Sequence, residues 1–202
     1  MHTLFLDFAS NKGSMACVND DEVLSVLSLE PRTTDAKMME YLLRAMHHAG
    51  WSHREIHRIA CTTGPGGFMS LRVGVSIANA LGWSLELPLA GLHLSDLYGV
   101  RMRGNGVWLH STRREQLFIR GFGTYRTLWS APTLMTLQDC IGDLPKAAHI
   151  CGELIPEHRA QLAAARGVHE ADLLPLEDVL PSSLSGLSYS STQLRPWYGR
   201  SW

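Results

Sequence analysis

Short, mostly apolar runs separated by polar turns open the chain. Apolar positions recurring every three to four residues follow, so the first half predicts strands and then helices alternating with strands. Leu4-Phe5-Leu6-Asp7-Phe8 reads as a strand, 10–14 with Gly13 as a turn, and Met15-Ala16-Cys17-Val18 as the returning arm of a hairpin. After a turn at Asn19-Asp20-Asp21, residues 22–29 predict a third strand carrying Val23, Leu24, Val26, Leu27 and Leu29, closed by Pro31. Thr34 or Asp35 can then cap a helix over 35–50, with a core face of Met38, Leu42, Met46 and Ala49 and an end at Gly50. Ser52 and Glu55 have capping-box spacing for a short turn, and 56–62 predicts a strand with Ile59 and Cys61 inward. A glycine turn leads into a helix over 67–82, and Pro88-Leu89-Ala90-Gly91-Leu92 supplies a fifth, short strand.

The resulting β-β-β-α-β-α-β order is that of the actin-like (ASKHA, RNase H-like) α/β architecture. Past a linker at 101–106 the same series is expected again. Strands are predicted at 107–110, 116–122 and 125–129, a helix near 136–141, a strand at 148–151, and a helix over 157–166 ending at Gly167. This predicts two lobes, 1–103 and a smaller one over 104–202. The tail from Pro181 to Trp202, rich in Ser and carrying Pro196, Trp197 and Tyr198, lacks periodicity and is expected to be loosely ordered.

Composition narrows the setting. The 202 residues, 45% of them hydrophobic, suffice for one large or two small cores. No apolar run reaches the roughly 18 residues of a membrane helix, and Met1-His2-Thr3 enters a strand without a basic leader, so a cytoplasmic, non-membrane protein is expected. Cys17, Cys61, Cys140 and Cys151 form no CxxC pair and read as reduced core thiols. A net charge of −1, from 18 basic and 19 acidic residues, gives no global attraction to nucleic acid. The basic cluster Arg101-Met102-Arg103, Arg113-Arg114 and Arg120 reads as a solvated face.

Candidate chemistry concentrates at Gly64-Pro65-Gly66-Gly67-Phe68-Met69-Ser70-Leu71-Arg72-Val73-Gly74-Val75. A Walker loop is excluded because no Lys-Ser/Thr follows the last glycine, and a dinucleotide fingerprint because Met69 stands where its third glycine belongs. Ser70, Gly74 and Ala78 follow at intervals of four, leaving one helix side almost without bulk, flanked by Phe68, Leu71 and Val75. Such a stripe admits a second backbone closely, whether that of the chain's own sheet or of a partner. Asp7, on the first strand, is either a turn-forming residue or a metal ligand. His53 and His57 are spaced i, i+4, but Gly50 precedes them and a strand begins at Ile56, so no metal site is assigned; His169-Glu170 lacks the second histidine of a zinc protease motif.

The glycine run, continued by Ala78, Leu81, Leu87-Pro88-Leu89 and Gly91, resembles the TsaB/YeaZ family, whose typical run is G-P-G-S-F-T-G-L-R-I-G. The resemblance covers roughly 3–100, with weaker echoes at Thr112-Arg113-Arg114, Gln116-Leu117-Phe118 and Pro196-Trp197-Tyr198-Gly199-Arg200. Gly67, Met69 and Ser70 depart from the family residues, as does Asp7-Phe8-Ala9-Ser10 from D-T-S-T, which marks a divergent member. The resemblance implies the same two-lobed fold. It also implies a non-catalytic subunit that binds and activates a TsaD-type synthase in tRNA threonylcarbamoyladenosine formation, with a TsaE-type ATPase in the larger complex. A homodimer in isolation is a further expectation, and tRNA is met only through the complex. Partner contacts are expected through the first two helices, at Met38, Leu42, Met46, Phe68, Ser70, Leu71, Arg72, Gly74, Val75 and Ala78. Asp7 and Gly152 are the candidates for a vestigial nucleotide site: active actin-like ATPases place a carboxylate on the first strand of each lobe, and the second lobe's strand ends at Leu109-His110-Ser111. No cofactor and no catalytic residue are expected. The alternative is a weak actin-like ATPase or kinase using Asp7.

Overall fold

Two five-stranded sheets with the same strand order organise the protein, as seen in a computed structural model that describes residues 1–30 and 35–199. The cap expected at Thr34, the strand stop at Pro31, and Arg200 and Trp202 lie outside the described residues. By contacts the chain divides into two units, Met1–Leu94 with Leu176–Tyr198, and Ser95–Pro175 with Gly199. This partition differs from lobes at 1–103 and 104–202, because the C-terminal segment is grouped with the first unit.

In the first unit β1 (His2–Asp7), β2 (Ser14–Asn19) and β3 (Glu22–Ser28) form an antiparallel meander. Helix α1 (Asp35–His48) then crosses to β4 (Arg58–Gly64), which lies parallel to β1, and α2 (Phe68–Ser84) leads to β5 (Leu89–His93) beside β4. The element order β-β-β-α-β-α-β is the expected one, and the strands lie side by side in the order β3-β2-β1-β4-β5. Right-handed crossovers place α1 and α2 on one face of the sheet. There Ser25 Oγ donates to the Ala45 carbonyl of α1 at 2.7 Å, and Phe8 packs against Gly74 of α2. The capping box expected from Ser52 and Glu55 is present on a 3-10 turn, His53–Glu55.

The second unit repeats the plan. Helix α3 (Leu94–Arg101) is followed by β6 (Gly106–Arg113), β7 (Gln116–Phe122), β8 (Thr133–Thr136), α4 (Leu137–Asp143), β9 (His149–Glu153), α5 (Pro156–Arg166) and a two-residue β10 (His169–Glu170). Its sheet order, β10-β9-β6-β7-β8, mirrors the first with the last strand reduced. Val107, Leu109, Leu117, Ile119, Leu137 and Leu162 share its core.

Three expectations are corrected here. The third strand of this unit is Thr133–Thr136, not 125–129, which instead begins as a 3-10 turn, Gly123–Thr127. Tyr125 and Trp129 are four apart because a turn, not a strand, brings both rings onto the core. The basic cluster is partly internal: Arg101 Nε donates to the Leu174 carbonyl at 2.9 Å, and Arg120 pairs with Asp96 at 2.6 Å. The tail is ordered over its described residues, 181–199. It forms α6 (Leu176–Ser185), with Val179, Leu180 and Leu184 buried and Pro181 inside it. A strap over 187–198 follows, held by two backbone bonds between Leu89 and Ser190 and by Trp197 N–H donating to the Thr63 carbonyl at 2.7 Å.

All four cysteines are buried free thiols. Burial pushes Cys17 up to about 11 and Cys140 and Cys151 up to about 12; Cys61 is also raised, by burial first and by the Asp7 carboxylate second. Raised values leave almost no thiolate at pH 8. Native protein should therefore release no colour from a thiol-exchange reagent at that pH, and four equivalents after unfolding. A fast-reacting thiol in the native state contradicts this packing.

Candidate partner-binding face and the Asp7 turn

Asp7 ends β1 with its carboxylate buried and fully engaged. Its Oδ1 accepts the Ala9 N–H at 3.0 Å, the Ser10 N–H at 3.2 Å and the Thr62 hydroxyl at 2.6 Å, while Oδ2 accepts the Ser10 hydroxyl. Of the two roles open to this residue, the geometry is that of the turn former. It closes the β1–β2 turn and ties it to β4.

Gly74 and Ala78 of the small-residue stripe point into the protein, and Ser70 does not. Leu71, Gly74, Val75, Ala78 and Gly82 are the buried residues of α2. A β-carbon on Gly74 would stand 2.5–2.8 Å from three Phe8 carbons, Cβ among them, so the absent side chain is what lets α2 lie on its own sheet. On α1, Met38, Leu42 and Met46 are likewise buried, as their periodicity predicted. Of the expected partner contacts, seven are buried within the chain itself: Met38, Leu42, Met46, Leu71, Gly74, Val75 and Ala78. Phe68, Ser70 and Arg72 do face outward, with the Arg72 guanidinium 5.2 Å over the Phe68 ring.

The outward faces of the two helices carry apolar residues that the sequence reading passed over. Met39 and Leu43 on α1, and Met69 beside Phe68 on α2, are each 43–66% exposed. Met39 and Leu43 are i, i+4 on the side adjoining that of Met38, Leu42 and Met46, about 100° round the helix from Met38 and Leu42. A helix apolar on two sides was the available signal.

In the second unit Gly152 has φ +106°, and a β-carbon there would meet the Leu109 carbonyl at 2.2 Å, so close approach of β9 to β6 requires glycine. Parallel register sets Glu153 opposite His110, and their side chains lie 3.9 Å apart, both nearly buried. A carboxylate thus stands beside the first strand of this unit, three residues before its end at Arg113. It comes from a neighbouring strand, through a register that spacing along the chain does not reveal. His53 and His57 do not share a helix face: the 3-10 turn ends at Glu55, and His57 Nδ1 accepts the His2 N–H at 2.9 Å. Among the described residues no three His, Cys, Asp or Glu side chains gather as a metal site, and no helix is long and apolar enough to cross a membrane.

The family model described as TsaD, tRNA N6-adenosine threonylcarbamoyltransferase, matches residues 31–187. A tRNA N6-adenosine threonylcarbamoyltransferase of Syntrophus aciditrophicus (strain SB) is 50% identical over 52 residues, 26% of this chain and 15% of that protein. The tRNA threonylcarbamoyladenosine biosynthesis protein TsaB of Escherichia coli (strain K12) is 32% identical over 92 residues, 46% of this chain and 40% of that protein. The chain thus spans less than half the length of these curated relatives. Among solved structures, an uncharacterised Pseudomonas aeruginosa protein with similarity to peptidase YeaZ superposes with a TM-score of 0.73 at 17% identity, covering 98% of this chain and 99% of that one.

Proposed function

Because the chain belongs to the TsaD family, as a TsaB/YeaZ-type member of it, we propose that it serves tRNA threonylcarbamoyladenosine formation as a non-catalytic subunit that binds and activates a TsaD-type synthase. The observation that carries the proposal is the exposure of large apolar side chains on both helices, Met39 and Leu43 on α1 and Phe68 and Met69 on α2. Large apolar side chains in water on each helix suit a helix-to-helix interface, with Ser70 and Arg72 at its rim. The non-catalytic part is supported by Asp7, whose two oxygens accept four hydrogen bonds from the turn and from β4. Contact with tRNA then comes only through the complex, in the cytoplasm. A TsaE-type ATPase is a further member of the assembly, and the same face serves a homodimer when the synthase is absent.

The test is to mix the purified chain with the TsaD-type synthase of its own organism and to measure mass by light scattering during size exclusion. A stoichiometric complex is expected. Leu43→Asp with Met69→Asp should abolish it while leaving the melting temperature unchanged, since central interface residues contribute about 2 kcal/mol or more each, some 30-fold in affinity. Failure of the parent chain to associate, or undiminished association of the variant, overturns the proposal.

A further inference from the structure

A cavity of about 510 Å³ lies in the first unit where the C-terminal end of α2 meets the strap. Trp83, Glu86, Pro88, Asn79, Ser191 and Gln193 are among its lining residues. Its two walls are fixed to each other. Asn79 donates to the Leu194 carbonyl at 3.0 Å and accepts the Leu194 N–H at 2.8 Å, and Leu89 exchanges two backbone bonds with Ser190.

Three features there favour positive charge. Trp83 is 81% exposed, and an indole face attracts cations. Helix α2 presents the negative end of its dipole, with no basic residue in its last turn to neutralise it. Glu86 is the one ionisable residue among the described residues that line the cavity. It also occupies an unfavourable backbone conformation, φ +54°, at the helix end where the Leu87 N–H turns back to the Gly82 carbonyl at 2.8 Å. Glycine or asparagine is usual in that position, so a carboxylate is held here against local preference.

We propose that this cavity is a binding site for an alkyl-linked organic cation, a guanidinium or ammonium group, laid on Trp83 and paired with Glu86. It stands apart from the synthase-binding face: Trp83 is 14 residues beyond Met69, about 21 Å along the helix axis. The proposal does not depend on that face being correct.

N-acetylarginine amide, spermidine and N-acetylcitrulline amide, titrated separately into labelled protein, test the site through the Trp83 indole and Glu86 amide resonances. Saturable shifts are expected with a cation, and about tenfold weaker ones with the neutral citrulline isostere. Tighter response to the arginine amide identifies a side chain of a protein as the source, and tighter response to spermidine a free polyamine. Glu86→Gln should weaken the response about tenfold and Trp83→Ala should remove it, both at unchanged melting temperature, since neither side chain supports the core. Glu86→Gly should raise the melting temperature while weakening cation binding, a trade that a merely structural Glu86 would not show. Equal responses to arginine and citrulline, or no saturable shift with any cation, overturn the assignment.

Discussion

Gly74→Leu should unfold or severely destabilise the first unit instead of selectively blocking association. The β-carbon alone would fall 2.8 Å from Phe8 Cβ, an atom that rotation of the ring does not move, and the remaining leucine atoms have only the sheet to enter. Inserting bulk into a packed core costs about 1–3 kcal/mol per site and occasionally more. Because Phe8 Cβ cannot rotate out of the contact the upper end applies, about 3 kcal/mol or more, offset by only about 1 kcal/mol of gained helix propensity. Thermal and urea unfolding of Gly74→Leu beside Leu43→Asp separates the two helix faces. The inner variant should lose stability and the outer one should not. A Gly74→Leu protein that melts like the parent yet fails to bind the synthase would return the small-residue stripe to the interface.

Asp7→Ala should carry the next largest penalty. Removing the carboxylate leaves the buried Ala9 N–H without its acceptor, leaves the Thr62 hydroxyl only the Leu6 carbonyl at 3.5 Å, and releases the Ser10 hydroxyl and N–H. Each buried orphan costs about 1–3 kcal/mol, so a total near 3 kcal/mol or above is expected, with Asp7→Asn intermediate because one oxygen survives. Calorimetry with and without Mg-ATP makes this decisive. Destabilisation with no nucleotide response in the parent agrees with a turn former. Saturable nucleotide binding by the parent, lost in a variant of unchanged stability, favours the weak ATPase instead.

The first unit was legible because its period changes are sharp. The short apolar runs at Leu4–Phe8 and Met15–Val18 give way to the three-to-four spacing of Met38, Leu42 and Met46, and glycines mark the helix ends. The face of each helix was harder to assign. Periodicity locates the core side of α1 correctly, but a resemblance that names helices as partner-binding does not say which side of them binds. The residues on the other side, Met39, Leu43 and Met69, carry that information only once burial is known. In the second unit the Tyr125–Trp129 spacing imitates a strand because two aromatic rings reach the core from a turn. The His110–Glu153 contact depends on the β6–β9 register, which sequence separation does not encode. Helix α6 was hidden by Pro181, and the strap by its lack of any period: its order comes from bonds to β4, β5 and α2, distant in sequence.

The grouping of 176–198 with the first 94 residues has a consequence for how the chain is made. β5 is the outermost strand of its sheet, and the strap is what pairs with its open side at Leu89. During synthesis, β5 leaves the ribosome while residues 95–175 are still to be translated, an interval of several seconds at about 5–20 residues per second. For that time an adhesive strand edge stands bare, a template for pairing with another nascent chain. The last-made segment therefore acts as a closing stitch, and a stop codon shortly before Ser190 would leave the edge exposed for the life of the molecule.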